Sequence, residues 1–315
     1  MKYAIGVDIG GMSVKAGLVD ENGAMLEKNA VKSADTPEKL IKNMAGQINS
    51  LLAGNKLDIA DVCGIGVGCP GAISGEKGVV DILPNLGWKN VPLAAELKKY
   101  FDTRIRLSND ANAAVLGEYK YGCARGYTNC VMLTLGTGVG GGLIINGRLY
   151  EGKDCKGAEL GHTTLVLDGE PCTCGRNGCV ETYVSATALI RQTKAAMLGD
   201  LDSAMWKYVS GDIEKVDGRT AFACAKTGDK TAERVVSQYI RYLSESLMNL
   251  MNIFRPDVII IGGGISGEKT YLTDRIHKYC AKFYYGYKHS PKPEILTATL
   301  GNDAGIIGAA ALVTE

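Results

Sequence analysis

A short apolar run that breaks at a glycine turn and resumes as a second apolar run occurs twice in this chain. Tyr3 to Val7 breaks at Asp8-Ile9-Gly10-Gly11, resumes as Val14 to Val19 and ends at Asp20-Glu21-Asn22-Gly23. Cys130 to Leu135 breaks at Gly136-Thr137-Gly138-Val139-Gly140-Gly141-Gly142, resumes as Leu143 to Ile145 and turns at Asn146-Gly147. Each reads as strand, tight turn, strand and hairpin turn. Aligning Asp8 with Thr134 sets Gly10 on Gly136 and, with one gap, Gly17 on Gly142, which predicts a duplicated domain with a phosphate loop in each half. The 41 glycines among 315 residues are about twice the usual share, and they cluster at such turns.

The rest of the chain alternates helix and strand. Thr36-Pro37 starts a helix whose apolar face is Leu40, Ile41, Met44, Ile48, Leu51 and Leu52, and Cys63 to Val67 is a buried strand ending at Gly68-Cys69-Pro70-Gly71. Helices are predicted over Pro92 to Phe101 and Ala111 to Tyr119, with a strand from Arg104 to Leu107 between them. Past Glu181 the chain turns helical. Its longest helix, Thr231 to Phe254, stops at Arg255-Pro256, and Val258 to Ile261 is a strand opening into Gly262-Gly263-Gly264. A last small, apolar helix near Asp303 to Val313 suits close packing. This alternation predicts an α/β architecture.

Composition narrows the function. Lys+Arg 35 against Asp+Glu 34, with no block of like charge, offers no footprint for a nucleic-acid backbone or an anionic membrane surface. No apolar run reaches the roughly 18 residues of a membrane span, and no signal-peptide core precedes Asp8, so a cytoplasmic protein acting on small molecules is expected. Ten cysteines are then reduced thiols rather than a disulfide scaffold.

Three glycine turns, each after a strand, can turn backbone N–H groups toward an anion. Three unliganded tight turns are the alternative, and none is a Walker loop or a spaced dinucleotide fingerprint. Asp8 can orient Mg²⁺ or its waters and Lys15 can reach a phosphate, or Lys15 is a surface side chain. Cys172, Cys174 and Cys179, with His162 ten residues before the first of them, form the tetrahedral donor set of a structural zinc knuckle. The alternative is free thiols beside a core histidine. Asn109-Asp110 stands at a strand end and helix start, where Asp110 is either a general base toward a substrate hydroxyl or a helix N-cap. Glu159 and Glu181 flank the cysteine motif as polyol acceptors or as surface glutamates.

Together these motifs resemble the bacterial ROK sugar kinases (repressor, open reading frame, kinase) of the actin-like ATPase superfamily, nearly end to end. The resemblance rests on Asp8-Ile9-Gly10-Gly11, Gly68-Cys69-Pro70-Gly71, Asn85-Leu86-Gly87-Trp88, Asn109 through Ala114, Leu135 through Gly142, Glu159-Leu160-Gly161-His162, the cysteine motif ending at Glu181, and Ile260 through Gly264. It implies a two-lobed, ribonuclease H-like duplicated fold with a zinc knuckle. Residues 1–120, completed by the C-terminal helix 302–315, would form the small lobe, and 121–301 the large one. Asp110 matches the base that takes the proton from a hexose 6-hydroxyl as it attacks the γ-phosphate of Mg-ATP. Gly71, Asn85, Asn109, Asp110, Glu159, His162 and Glu181 match sugar-binding positions, with His162, Cys172, Cys174 and Cys179 holding structural zinc. Asp8, Gly10, Gly11, Met12, Ser13, Lys15, Gly136, Thr137, Gly138 and Gly140 fall in the two phosphate loops, and Gly263 and Gly264 on the adenosine side. Lobe closure would exclude water, and family members are commonly homodimers or homotetramers.

The family usually has Thr immediately after the two glycines of the first loop, where this chain has Met12 followed by Ser13. Asn-Leu-Gly-Trp and Gly-Cys-Val-Glu resemble the glucokinase branch, making glucose the expected substrate, although N-acetylmannosamine, N-acetylglucosamine, fructose and allose kinases share every motif. Other readings are a catalytically weak sugar sensor, for which Met12 is the hint, and an iron–sulfur ATPase activator, which would be brown where a zinc protein is colourless. A DNA-binding repressor is not expected, since only seven residues precede Asp8.

Overall fold

The computed structural model describes residues 2–34, 36–285, 289 and 291–314. In chain order β1 (Tyr3–Ile9), β2 (Ser13–Asp20) and β3 (Met25–Lys32) form an antiparallel run and α1 (Pro37–Gly54) follows. Thr36 caps α1, accepting a hydrogen bond from Lys39 N–H. Next come β4 (Val62–Cys69), a three-stranded sheet of β5 (Ala72–Ser74), β6 (Val79–Leu83) and β7 (Trp88–Val91), then α2 (Leu93–Lys98), β8 (Ile105–Asn109) and α3 (Asp110–Tyr121). β9 (Cys130–Leu135), β10 (Val139–Ile145) and β11 (Arg148–Leu149) repeat the opening motif. Five helices follow: α4 (Glu181–Val184), α5 (Ala186–Leu198), α6 (Ala204–Tyr208), α7 (Thr220–Lys226) and α8 (Lys230–Phe254). The chain closes with β12 (Val258–Gly262), α9 (Thr270–Phe283), β13 (Glu294–Thr297) and α10 (Ala304–Ala311).

The two five-stranded sheets have the orders β3-β2-β1-β4-β8 and β11-β10-β9-β12-β13. In both, the first three strands of the copy run outward from its centre and the last two add on the other side, so the duplication read from two glycine turns extends to the whole sheet. Strands β1, β4 and β8 are mutually parallel, as are β12 and β13.

The chain divides into two compact units. The first comprises 1–130, 142–158 and 299–315, and the second 131–141 and 159–298. Segments 121–130 and 142–158 thus lie with the first unit, beyond residue 120 where the sequence reading divides the chain. In the first unit, Ile5, Val7, Val14, Leu18, Ile65, Val67 and Leu107 pack with Leu40, Met44, Ile48 and Leu51 of α1. Helix α10 lies on the other face so tightly that a Cβ at Gly66 would sit 1.7 Å from the Ala309 carbonyl oxygen and one at Gly308 1.7 Å from that of Ala113. The small residues of the last helix are therefore what lets it reach the sheet. In the second unit, α8 buries Val235, Val236, Tyr239, Ile240, Leu243, Leu247, Leu250 and Met251, and the fully buried Tyr239 hydroxyl donates to the Val184 carbonyl at 2.7 Å. Arg255 ends α8 in the left-handed region, φ 45°, before Pro256. Among the described residues no helix is long and apolar enough to cross a membrane.

Candidate active site and metal centre

Within the first unit, the C-terminal ends of three neighbouring parallel strands carry the chemistry. Asp8 at the end of β1 is in register with Gly68 of β4, and Cys69 of β4 with Asn109 of β8. Adjacent strands are about 4.8 Å apart, so Asp8 and Asp110 flank β4 roughly 10 Å from each other, where open α/β sheets bind ligands. The buried Cys69 thiol feels both carboxylates, which with desolvation push its ionisation far above the ordinary thiol range. It is inert packing. Asp8 itself is raised by burial, partly offset by Lys15, its cross-strand partner on β2.

The cap ambiguity at Asp110 resolves onto its neighbour. Asn109 is still extended, φ −62° and ψ 148°, and its side chain accepts from Ala111 N–H at 2.9 Å. Asp110 is the first helical residue, and its Oδ1 shares the same N–H at 2.9 Å. The strand persists two residues past Leu107, where the apolar pattern ends, and α3 begins at Asp110, so the sequence reading of Asp110 as N-cap is corrected.

The first glycine turn is closed by Gly10 N–H donating to the Ser13 carbonyl at 2.9 Å. Ser33, just after β3, braces it twice: its hydroxyl donates to the Gly10 carbonyl at 2.8 Å and its N–H to the Met12 carbonyl at 3.1 Å. Met12 points into solvent, 90% exposed. Asn85 lies against the turn, 3.6 Å from where a Gly11 Cβ would stand. Gly71, at φ 88°, immediately precedes β5, and a Cβ there would meet the Ile82 carbonyl oxygen at 2.2 Å.

Within the second unit, Gly136 N–H donates to the Gly138 carbonyl at 3.0 Å, the counterpart of the Gly10 closure. The other members of the site stand close to this turn. Glu181 Oε2 accepts from Val139 N–H at 2.9 Å and stands against the Gly138 Cα, so a side chain at 138 would push that carboxylate aside. Gly263, φ 78°, packs on the backbone of Leu135, which precedes Gly136, so the third turn abuts the second. Gly264 opens on a cavity of about 850 Å³ lined also by Asp217, Arg219, Lys226 and Glu268. Sequence reasoning missed these four, because charged residues scattered over α7, the loop before it and the turn after β12 carry no motif. Gly140 lies within β10.

The metal donors converge. One ligand atom from each of His162, Cys172, Cys174 and Cys179 lies within 4.8 Å of the others. Cys172 Sγ is 3.5 Å from His162 Nδ1, and Cys174 Sγ 3.6 Å from Cys179 Sγ. Bond lengths of about 2.3 Å to sulfur and 2.0 Å to nitrogen in a tetrahedron place donors roughly 3.5–3.8 Å apart, so the set fits zinc. The knuckle bends because Gly178, φ 77°, admits the Val166 carbonyl 1.6 Å from the position a Cβ would take. Arg176 N–H lowers the Cys174 thiol toward thiolate, while desolvation and the neighbouring sulfurs push Cys179 up to about 12. The Glu159 carboxyl, three residues from His162, is raised by desolvation, against the pull of His162 and with the push of Glu181. Glu159, His162 and Glu181 therefore share one neighbourhood.

A model of the ROK family matches residues 4–315. The glucokinase of Thermotoga maritima is 37% identical over 99% of this chain and 97% of its own length. The crystal structure of a ROK family glucokinase from Streptomyces griseus in complex with glucose and AMPPNP is 33% identical and covers 98% of each chain with a TM-score of 0.85. The xylose repressor of Caldicellulosiruptor bescii is 29% identical over 89% of this chain and 72% of its own length.

Proposed function

The chain belongs to the ROK family, and from that premise we propose that it is an ATP-dependent sugar kinase that phosphorylates the 6-hydroxyl of a hexose, with glucose as its substrate. The observation that carries this reading is the pair of carboxylates either side of β4, Asp8 at the end of β1 and Asp110 at the start of α3, just past the end of β8. Asp110 is the base. One of its oxygens is fixed by Ala111 N–H, and it takes the proton of the sugar O6 as that oxygen attacks the γ-phosphorus and the bond to ADP breaks. Asp8 orients the Mg²⁺ that travels with ATP, or its waters. Likeness to glucokinases at 33–37% identity, against 26–29% for xylose repressors, supports the substrate.

In the first unit, Gly71, Asn85 and Asn109 are assigned to sugar hydroxyls, and Gly10, Gly11, Met12, Ser13 and Lys15 to phosphate. In the second, Glu159, His162 and Glu181 are assigned to the sugar, Gly136, Thr137, Gly138 and Gly140 to phosphate, and Gly263 and Gly264 to adenosine. The cavity beside Gly264 has room for a nucleoside. Zinc on His162, Cys172, Cys174 and Cys179 supplies no step of the transfer; it holds the loop that carries these acceptors.

The test is ADP release with Mg-ATP across glucose, fructose, allose, mannose and the N-acetylhexosamines, with Asp110→Asn as the blank. Turnover on glucose, falling by about 10³-fold in the variant at an unchanged melting temperature, is expected, since Asn109 remains to cap α3. Turnover on another sugar revises the substrate alone. Sugar binding without turnover on any would make the protein a sensor.

A further inference from the structure

The segment just after the metal knuckle is tied to the second glycine turn by three hydrogen bonds. The Glu181 carboxylate accepts from Val139 N–H at 2.9 Å, Ala186 N–H donates to the Gly136 carbonyl at 2.8 Å, and the Thr187 hydroxyl donates to the Thr137 carbonyl at 2.8 Å. Together they hold the turn at residues 136, 137 and 139. Glu181 also faces the knuckle, its Oε1 3.8 Å from Cys172 Sγ, and stands two residues after Cys179. Between Cys179 and Glu181 lies only Val180, whose N–H donates to the Thr163 carbonyl at 2.9 Å. The strap at 181–187 is therefore anchored at one end by the metal ligands and at the other by the turn.

We propose that residues 181–187 couple the metal site to the nucleotide phosphate loop, with Glu181 and Thr187 as positioning residues for Gly136 through Val139. The proposal rests on the kinase reading for the identity of the anion at that turn. A glycine turn has no side-chain packing to fix its φ and ψ, so its conformation is set by what its carbonyls and N–H groups bond to. Beyond the turn's own Gly136–Gly138 bond, those partners are one short segment, held at its start by the knuckle and at Val184 by the Tyr239 hydroxyl. Release of the metal frees Cys172 and Cys179, lets 179–181 shift, and loosens the turn, so the ordering of the loop is left for the nucleotide to supply on binding. Metal loss then weakens nucleotide as well as sugar.

Two measurements on the full chain test this. The first is calorimetric titration of Mg-ADP into zinc-replete protein, chelator-treated protein, and the zinc-replete variants Thr187→Val and Thr187→Ser. The second is amide hydrogen exchange at Val139 in the same samples without nucleotide. Chelation is expected to weaken Mg-ADP about tenfold or more and to speed exchange at Val139. Thr187→Val, which touches neither a metal ligand nor a sugar residue, is expected to weaken Mg-ADP about three- to tenfold, the worth of one hydrogen bond, with zinc content and sugar affinity retained and with Thr187→Ser restoring the wild-type value. Zinc-free protein with an unchanged far-ultraviolet spectrum and wild-type Mg-ADP affinity would overturn the proposal. So would wild-type affinity in Thr187→Val. Should zinc-replete wild-type protein fail to bind Mg-ADP at all, the kinase reading falls, and the exchange rate at Val139 with and without zinc decides the coupling alone.

Discussion

The first and second glycine turns share a backbone and differ in everything that surrounds it. Both close on the N–H of the leading glycine, Gly10 to Ser13 and Gly136 to Gly138. The first follows a carboxylate, Asp8, with Lys15 across the hairpin, and is braced from β3's end by Ser33. The second follows Thr134 and is braced by the segment after the metal knuckle. Duplication supplies the turn, and the neighbours supply its chemistry: a buried charge in one copy, a metal-anchored strap in the other.

The largest effect expected from this contrast is at Asp8. Burial holds its carboxyl above the usual carboxylate range despite Lys15, so the folded state binds the proton more tightly than the unfolded chain. Stability associated with neutral Asp8 is then present below the unfolded pKa and lost as pH rises through the folded one, leaving a cost at pH 7. Asp8→Asn should therefore raise the melting temperature at pH 7 while lowering turnover about 100-fold or more. Thr134→Val, the aligned change in the other copy, should alter turnover less than about twofold. Wild-type turnover should fall with decreasing pH at a higher pH than an ordinary carboxylate dictates, and Lys15→Met should move that midpoint higher still. Equal losses at Asp8 and Thr134, measured by steady-state kinetics, would break the contrast.

The aligned glycines give the next effect. A Cβ at Gly10 would stand 2.9 Å from the Ser13 carbonyl oxygen, whereas one at Gly136 meets nothing within 4 Å. Gly10→Ala should destabilise by about 1–3 kcal/mol, as overpacking against backbone does. Gly136→Ala should leave the melting temperature unchanged and weaken nucleotide, because the space its methyl fills is the space assigned to phosphate. A Gly136→Ala protein with wild-type Mg-ADP affinity would remove phosphate from that turn. Ser33→Ala, which deletes only the hydroxyl bond to Gly10, should cost about 1 kcal/mol of nucleotide binding, read by calorimetry.

Sequence carried the strand–turn–strand units, α8 and the knuckle because each is local: a period, a stop at Pro256, a cysteine spacing. Less legible were features made by distant partners. The strap is invisible because Ala186 and Thr187 are ordinary helix-start residues after Ser185, and only the fold sets them against Gly136 and Thr137. The β5–β6–β7 sheet was missed because its strands are only 3, 5 and 4 residues long, too short for alternation to stand out, and Ile73, Val80 and Val91 meet only as cross-strand partners. Asn109 and Asp110 were distinguishable in kind but not in role, since the extension of β8 past Leu107 to Asn109 decides which of them caps α3.

Met12 offers the smallest and most diagnostic change. It follows the two glycines where the family usually has a hydroxyl, its carbonyl is held by Ser33 N–H, and its side chain is 90% exposed. Its backbone is thus already set, and a substitution there changes side-chain chemistry without changing the turn. Met12→Thr removes an exposed apolar side chain and offers one hydroxyl to phosphate, worth about 0.5–1.5 kcal/mol, or roughly two- to tenfold in KM for ATP. No partner is lost, so the melting temperature should hold. A gain confined to KM would mean that Met12 merely forgoes a ground-state contact. A larger gain in kcat would mean that the hydroxyl acts at the transferring phosphoryl group, and that Ser13, the next hydroxyl along the chain, does not substitute for it.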